Sequence, residues 1–147
     1  MPFDANLVLI DGTITMTATT DTPAISTTRD DTTGAAVLDL KETGAKGLVA
    51  VLVLPADLAG GSDATTLTGF IECSDTEDMT GTTTGIEKHG SFGIANATSG
   101  VVIGSECPDV AMVHFATKKR YVRANITVSA TFGAPQVLLS PYPFRTL

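Results

Sequence analysis

The residues best suited to binding lie in the segment HFATKKRYVRANITVSATF, residues 114–132. Four of the nine Lys and Arg residues of the chain fall within six positions there: Lys118, Lys119, Arg120 and Arg123. From 120 to 130 apolar and polar residues alternate, which predicts a strand with one buried and one solvent-facing side. We therefore expect Tyr121 and Arg123 to project together on the polar face, with Lys118, Lys119 and Arg120 beside them.

This basic cluster has three interpretations: a nucleic-acid site, a contact surface for another protein, and a solvated strand end. Nucleic-acid binding usually needs a basic domain with phosphate contacts spread along a groove. This chain has 16 acidic and nine basic residues, for a formal net charge of −7. We expect no nucleic-acid partner. Arg and Tyr are enriched at protein interfaces, so protein contact and a solvated strand end both remain open.

Residue patterns for catalysis or metal binding are weak. The chain has no G-x-S-x-G elbow, P-loop or dinucleotide glycine fingerprint. His89 and His114 occur singly, and Cys73 and Cys107 lie 34 residues apart without zinc-ligand spacing. We expect His114 to be a hydrogen-bonded strand residue and the cysteines to be buried thiols. No metal or other cofactor is expected.

The acidic segment DTEDMTG, residues 75–81, does not place its carboxylates at the positions that an EF-hand requires. A solvated acidic loop is the simplest interpretation. A hydrolase would need Asp75, Glu77 or Asp78 to meet His89 or His114 in a pocket. The chain also has no Trp and only two Tyr, so the aromatic platform typical of sugar clefts is missing. We expect the protein not to be an enzyme.

The predicted fold is a single all-β domain over residues 1–147. Apolar residues make up 43% of the chain and charged residues 17%, and threonine is abundant, which favours strands and a real core. LVAVLVL (48–54) is apolar on both faces and is predicted to be the central core strand. The region 74–90 is predicted to be a long polar loop. The further predicted strands cover 6–10, 13–19, 35–40, 67–73, 92–95, 100–104, 109–115, 120–130 and 136–140.

We expect no membrane-spanning segment and no export signal in this sequence. The longest apolar run, residues 47–56, is too short to span a bilayer. No basic residue precedes the first apolar run, as a secretory signal would require. We expect synthesis in the cytoplasm and no membrane contact.

Four stretches together resemble the capsid cement (decoration) proteins of short-tailed bacteriophages. They are NLVLIDGTITMTATTD near the start, AKGLVAVLVLP in the middle, GSECPDVAMVHFATKKRYVRANITVS, and the terminal QVLLSPYPFRTL. The resemblance implies a jelly-roll β-sandwich on the outside of a virion capsid. It implies that the domain stabilises the shell by bridging major capsid protein subunits and that it self-associates, for which we favour a dimer over a trimer.

On this interpretation the basic cluster becomes a protein contact. The terminal PYPF offers Tyr142 and Phe144 as further anchors, because its prolines restrict the unbound chain. Residues 1–6 are then an N-terminal arm or first strand, and residues 141–147 a C-terminal tail that binds a neighbour or packs on its own domain. The alternative function is a β-sandwich that binds a receptor or glycan, as part of a head fibre or tail accessory.

Overall fold

The computed structural model describes residues 7–17, 23–41, 46–54, 67–79, 85–92, 110–129 and 133–141. All regular elements in these ranges are strands. They are β1 (Val8–Asp11), β2 (Leu38–Asp39), β3 (Lys46–Val53), β4 (Leu67–Ser74), β5 (Glu87–Ser91), β6 (Val110–Thr117), β7 (Tyr121–Val128) and β8 (Gln136–Pro141).

The strands form two four-stranded sheets in which every pairing is antiparallel. The first sheet has the order β1-β8-β3-β6 and the second the order β2-β7-β4-β5. The pairs β3 with β6 and β4 with β7 are each continuous over eight residues. The protein is therefore all-β, and its two sheets are arranged as expected for a β-sandwich, as the sequence predicted.

The core consists of the side chains on the inner faces of the two sheets. Strand β3 contributes Leu48, Ala50 and Leu52, and β8 contributes Val137 and Leu139. The second sheet supplies Ile71 and Cys73 from β4, with Val122, Ala124, Ile126 and Val128 from β7. Burial of this apolar area is the main favourable contribution to folding.

The prediction of a central, doubly buried strand is confirmed by β3. It lies between β8 and β6, and Val49 and Val51, on the face opposite the core, are buried as well as Leu48, Ala50 and Leu52. An uninterrupted apolar run is the sequence signature of such a strand.

Two predictions about extended structure were wrong. Residues 13–17, expected within a strand, are irregular; Met16 is nevertheless buried, and its backbone N–H donates to Gly133 O at 2.7 Å. Within the expected loop 74–90, residues from Glu87 onward form β5, which pairs with β4. Strand β5 is at the edge of its sheet, and four of its five residues are exposed. Its sequence has no apolar alternation, because neither side of the strand is fully buried.

The expected strands 92–95 and 100–104 lie mostly or wholly outside the described residues.

The sheets approach closely where β5 faces β6. Gly90 has a positive φ of 54°, and a Cβ at this position would overlap a Val113 methyl group of β6. His89 of β5 lies over Phe115 of β6, with ring centroids 5.5 Å apart. A glycine is therefore required at position 90 for both its backbone conformation and the space above it.

In the described part of the chain, no helix has the length and apolar character needed to cross a membrane.

Candidate contact surface

Arg123 does not project into solvent, so the prediction that placed it on an exposed polar face was wrong. The strand and its alternation are confirmed, because Val122, Ala124, Ile126 and Val128 are all buried on the inner face. Arg123 lies on the other face, but its side chain is only 5% exposed. Its Nη1 donates to the Ala24 carbonyl at 3.0 Å, so the 23–29 segment reaches this part of the sheet. Arg123 is therefore excluded from the candidate contact surface in this conformation.

The partner of Arg123 is Glu72, directly opposite it in the register of β4 and β7. Arg123 Nε and Nη2 both lie 2.8 Å from Glu72 Oε2. The other oxygen, Oε1, accepts a hydrogen bond from Asn125 Nδ2 at 3.1 Å and lies 3.4 Å from Lys88 Nζ. Burial opposes ionisation of Glu72, but its hydrogen bonds from Arg123 and Asn125 and the nearby charges keep its pKa below the ordinary value.

Arg120 forms a two-pronged ion pair with Asp39 of β2. Its Nε and Nη2 donate to the two carboxylate oxygens at 2.9 and 2.8 Å, the geometry that makes Arg–carboxylate pairs strong. Asp39 also accepts from Lys41 N and lies 3.0 Å from Lys41 Nζ. The hydrogen bond from Arg120 is the main reason that the pKa of Asp39 lies below its usual range. The Arg120 guanidinium lies 5.1 Å from the centroid of the Tyr121 ring. Tyr121 is half-buried and packs against the core.

Lys119 is also paired. Its Nζ donates to Asp75 Oδ2 at 2.6 Å and lies 4.0 Å from Glu87 Oε1. The hydrogen bond to Asp75 raises the pKa of Lys119. Glu87 also lies 3.4 Å from His89 Nε2. These contacts join the loop after β6 to the loop after β4 and to β5.

Lys118 is the one member of the basic cluster for which the described residues provide no ion-pair partner. It is exposed and lines a shallow surface depression with Glu87, Ala116 and Thr117. Three of the four cations of the predicted basic surface are thus engaged in ion pairs within the domain. They connect β7 and its preceding loop to acidic residues of β2, of β4 and of the loop after β4.

An apolar surface that the sequence analysis missed lies on β6. Val110 is 54% and Met112 62% exposed, and with the exposed His114 and Ala116 they form the outward-facing side of this strand. We call these four residues the β6 outer face. The sequence contains a signal for this surface, because DVAMVHF has apolar residues on both sides of the strand, as β3 does. Unlike β3, however, β6 lies at the edge of its sheet.

The remaining candidates are only partly described. Tyr142 and Phe144, the N-terminal residues 1–6 and Cys107 lie outside the described residues, as does all of the tail except Pro141. Cys73 is a free, fully buried thiol, as predicted, and burial raises its pKa to about 12.

Two carboxylates of the acidic segment are bound by neighbouring groups of the domain. Asp75 binds Lys119, and Glu77 accepts hydrogen bonds from Thr27 N at 2.7 Å and Thr27 Oγ1 at 2.9 Å. These bonds lower the pKa of Glu77. His114 lies in β6, as expected for a strand histidine, and is exposed. Among the described residues no group of three or more His, Cys, Asp or Glu side chains could hold a metal ion.

Comparison with known proteins adds no relative to this picture: no family model, no curated protein and no solved structure matches the chain.

Proposed function

We propose that this protein is a non-enzymatic component of a bacteriophage virion that binds the outside of the capsid and stabilises it by bridging major capsid protein subunits. The β6 outer face is the observation that carries the proposal. Met and other large apolar side chains are enriched in protein interfaces, and Met112 and Val110 are the most exposed large hydrophobic residues described. The strand that presents them is held in register with β3 along its whole length.

A rigid platform of this kind suits repeated attachment to a shell. Each contact can be weak, because many copies that each bridge neighbouring subunits add their effects through multivalency. Lys118, exposed at the end of β6, adds a positive charge beside the apolar face. An acidic capsid surface would complement it.

The jelly-roll assignment is part of the proposal and is supported by the strand pairing. One long hairpin with its tip between β4 and β5 would form four strand pairs. These are the observed pairs β1·β8, β2·β7, β3·β6 and β4·β5. The additional pairs β3·β8 and β4·β7 arise when that hairpin is rolled up into two sheets. This is the order of an eight-stranded jelly roll.

The resemblance to cement proteins supports the partner assignments. We propose the major capsid protein as the main partner and a second copy of the chain as a further one, with a dimer favoured. Tyr142 and Phe144 remain proposed anchors. The alternative, a receptor- or glycan-binding module, has less support, because the described residues contain neither a carboxylate cluster for calcium nor an exposed group of aromatic rings.

Co-sedimentation tests the proposal. Purified protein is mixed with heads of the encoding phage assembled without it, and bound protein is measured across a concentration series. Saturation at hundreds of copies per head, with improved survival of the heads on heating, is expected. Absence of binding, or saturation at a few copies, would contradict the proposed role.

A further inference from the structure

Three adjacent strands of the second sheet place a lysine, a glutamate and an asparagine on one face. Glu72 of β4 is opposite Lys88 of β5 on one side and opposite Arg123 of β7 on the other. Asn125 lies two residues after Arg123, so it shares that face. Its direct partner across β4 is Phe70.

The two oxygens of Glu72 have different surroundings. Oε2 is held by Arg123, which is itself fixed by the Ala24 carbonyl. Oε1 faces both Lys88 Nζ, at 3.4 Å, and Asn125 Nδ2, at 3.1 Å. One nearly inaccessible carboxylate oxygen therefore contacts an amine nucleophile and a carboxamide.

The position of Lys88 is set by a second contact. Its Nζ lies 5.2 Å from the centroid of the Phe70 ring. Phe70 is the cross-strand partner of Asn125, so the Lys88 amine lies near the cross-strand row of the sheet that contains Asn125. The lysine side chain is 53% exposed and Glu72 only 3%, so the amine approaches from the solvent side of a buried carboxylate.

From this geometry we propose that Lys88 and Asn125 form an intramolecular isopeptide bond with Glu72 as the proton carrier. The Glu72 carboxylate accepts a proton from the Lys88 ammonium group, and the free amine attacks the Asn125 side-chain carbonyl carbon. Glu72 releases that proton to solvent, takes a second proton from the attacking nitrogen and transfers it to the departing nitrogen. An Nζ–Cγ amide bond forms, the Cγ–Nδ2 bond breaks, and ammonia leaves. No oxidant, reductant or co-reactant is needed.

The bond would join β5 to β7 across β4. Strand β5 is the exposed edge strand of its sheet and pairs only with β4 among the described strands. A covalent link from this edge to the buried β7 would keep β5 in place when the fold is heated. It is independent of any capsid partner.

Intact-mass spectrometry of the purified chain, before and after a week of incubation, tests the inference. The isopeptide predicts a mass about 17 Da below the sequence mass through loss of ammonia. After unfolding and trypsin digestion, residues 47–118 should remain uncleaved at Lys88 and joined to residues 124–145. That linked peptide distinguishes the bond from ammonia loss within a single asparagine.

Variants make the test specific. Lys88→Arg, at a half-exposed position, should fold and show its full sequence mass, and Asn125→Ala should do the same. The control Lys118→Arg, at an exposed and unpaired position, should still lose the ammonia. Full sequence mass in the incubated wild-type chain, or a mass loss that persists in Lys88→Arg, would overturn the proposal.

Discussion

Arg123 and Glu72 face each other across neighbouring strands as a buried ion pair, with nitrogen-to-oxygen distances of 2.8 Å and side-chain exposures of 5% and 3%. The pair lies on the outer face of its sheet, yet the 23–29 segment contributes a carbonyl to it. It is therefore structural, and the clustered cations that suggested a binding surface mainly hold parts of the domain together.

Arg123→Ala is expected to destabilise the protein by about 3–5 kcal/mol, because it leaves the Glu72 charge buried without its main partner. Urea unfolding followed by circular dichroism measures the change. Lys118→Ala, which removes an exposed and unpaired lysine from the same cluster, should change stability by less than about 0.5 kcal/mol. Equal effects of the two substitutions would show that the ion pair is not formed.

Protonation of Asp39 should lower the free energy of unfolding as the pH falls. The pKa of Asp39 is lowered in the folded protein, mainly by Arg120, so its contribution is fully present above the unfolded-state pKa of about 3.9. It is lost as pH falls below that value toward the folded-state pKa. Thermal unfolding at a series of pH values should show a shallower acid decline for Asp39→Asn than for wild type. Asp31→Asn, at an exposed position, is the control and should retain the wild-type slope.

Gly90→Ala should be more damaging than Gly85→Ala. Both glycines have positive φ, 54° and 92°, but only at position 90 would the added Cβ meet another side chain, Val113. The backbone conformation costs either alanine about 1–2 kcal/mol. Overpacking against β6 should add about 1–3 kcal/mol at position 90. Chemical denaturation of the two variants measures the difference, and equal losses would argue against the close approach of β5 to β6.

The parts of the fold that the sequence predicted are those with a strong local pattern. Strand β3 is apolar on both faces, and the inner face of β7 alternates without a break, so burial could be inferred from either stretch alone. Strand β5 could not be predicted, because an exposed edge strand has no need of apolar alternation.

The candidate site was harder to predict because burial on an outer face depends on distant residues. Nothing in the order of Tyr121, Val122 and Arg123 reveals that Ala24, about a hundred residues earlier, contributes a carbonyl to Arg123. The same limit applies to Asp39 and Asp75, whose pairing with Arg120 and Lys119 depends on the sheet register. The β6 outer face could not be predicted, because an apolar run does not reveal whether its strand lies at the centre or at the edge of a sheet.

Met112→Glu should weaken binding to heads by at least roughly tenfold, since it places a charge in the centre of the proposed contact. The substitution is at a 62% exposed side chain, so stability should hardly change. Thr127→Glu introduces the same charge at an exposed position of the other sheet and should bind like wild type. Co-sedimentation with heads measures the binding of both variants. Equal binding would show that the β6 outer face is not the contact surface.

Attachment of the protein to the outside of a capsid, between its subunits, is tested most directly by cryo-electron microscopy of heads before and after addition of the purified protein. New density is expected on the outer surface, in contact with at least two major capsid protein subunits, and the two-sheet domain should fit it with β6 toward the shell. Added density inside the shell, density confined to a single vertex, or no added density at saturating protein would contradict it.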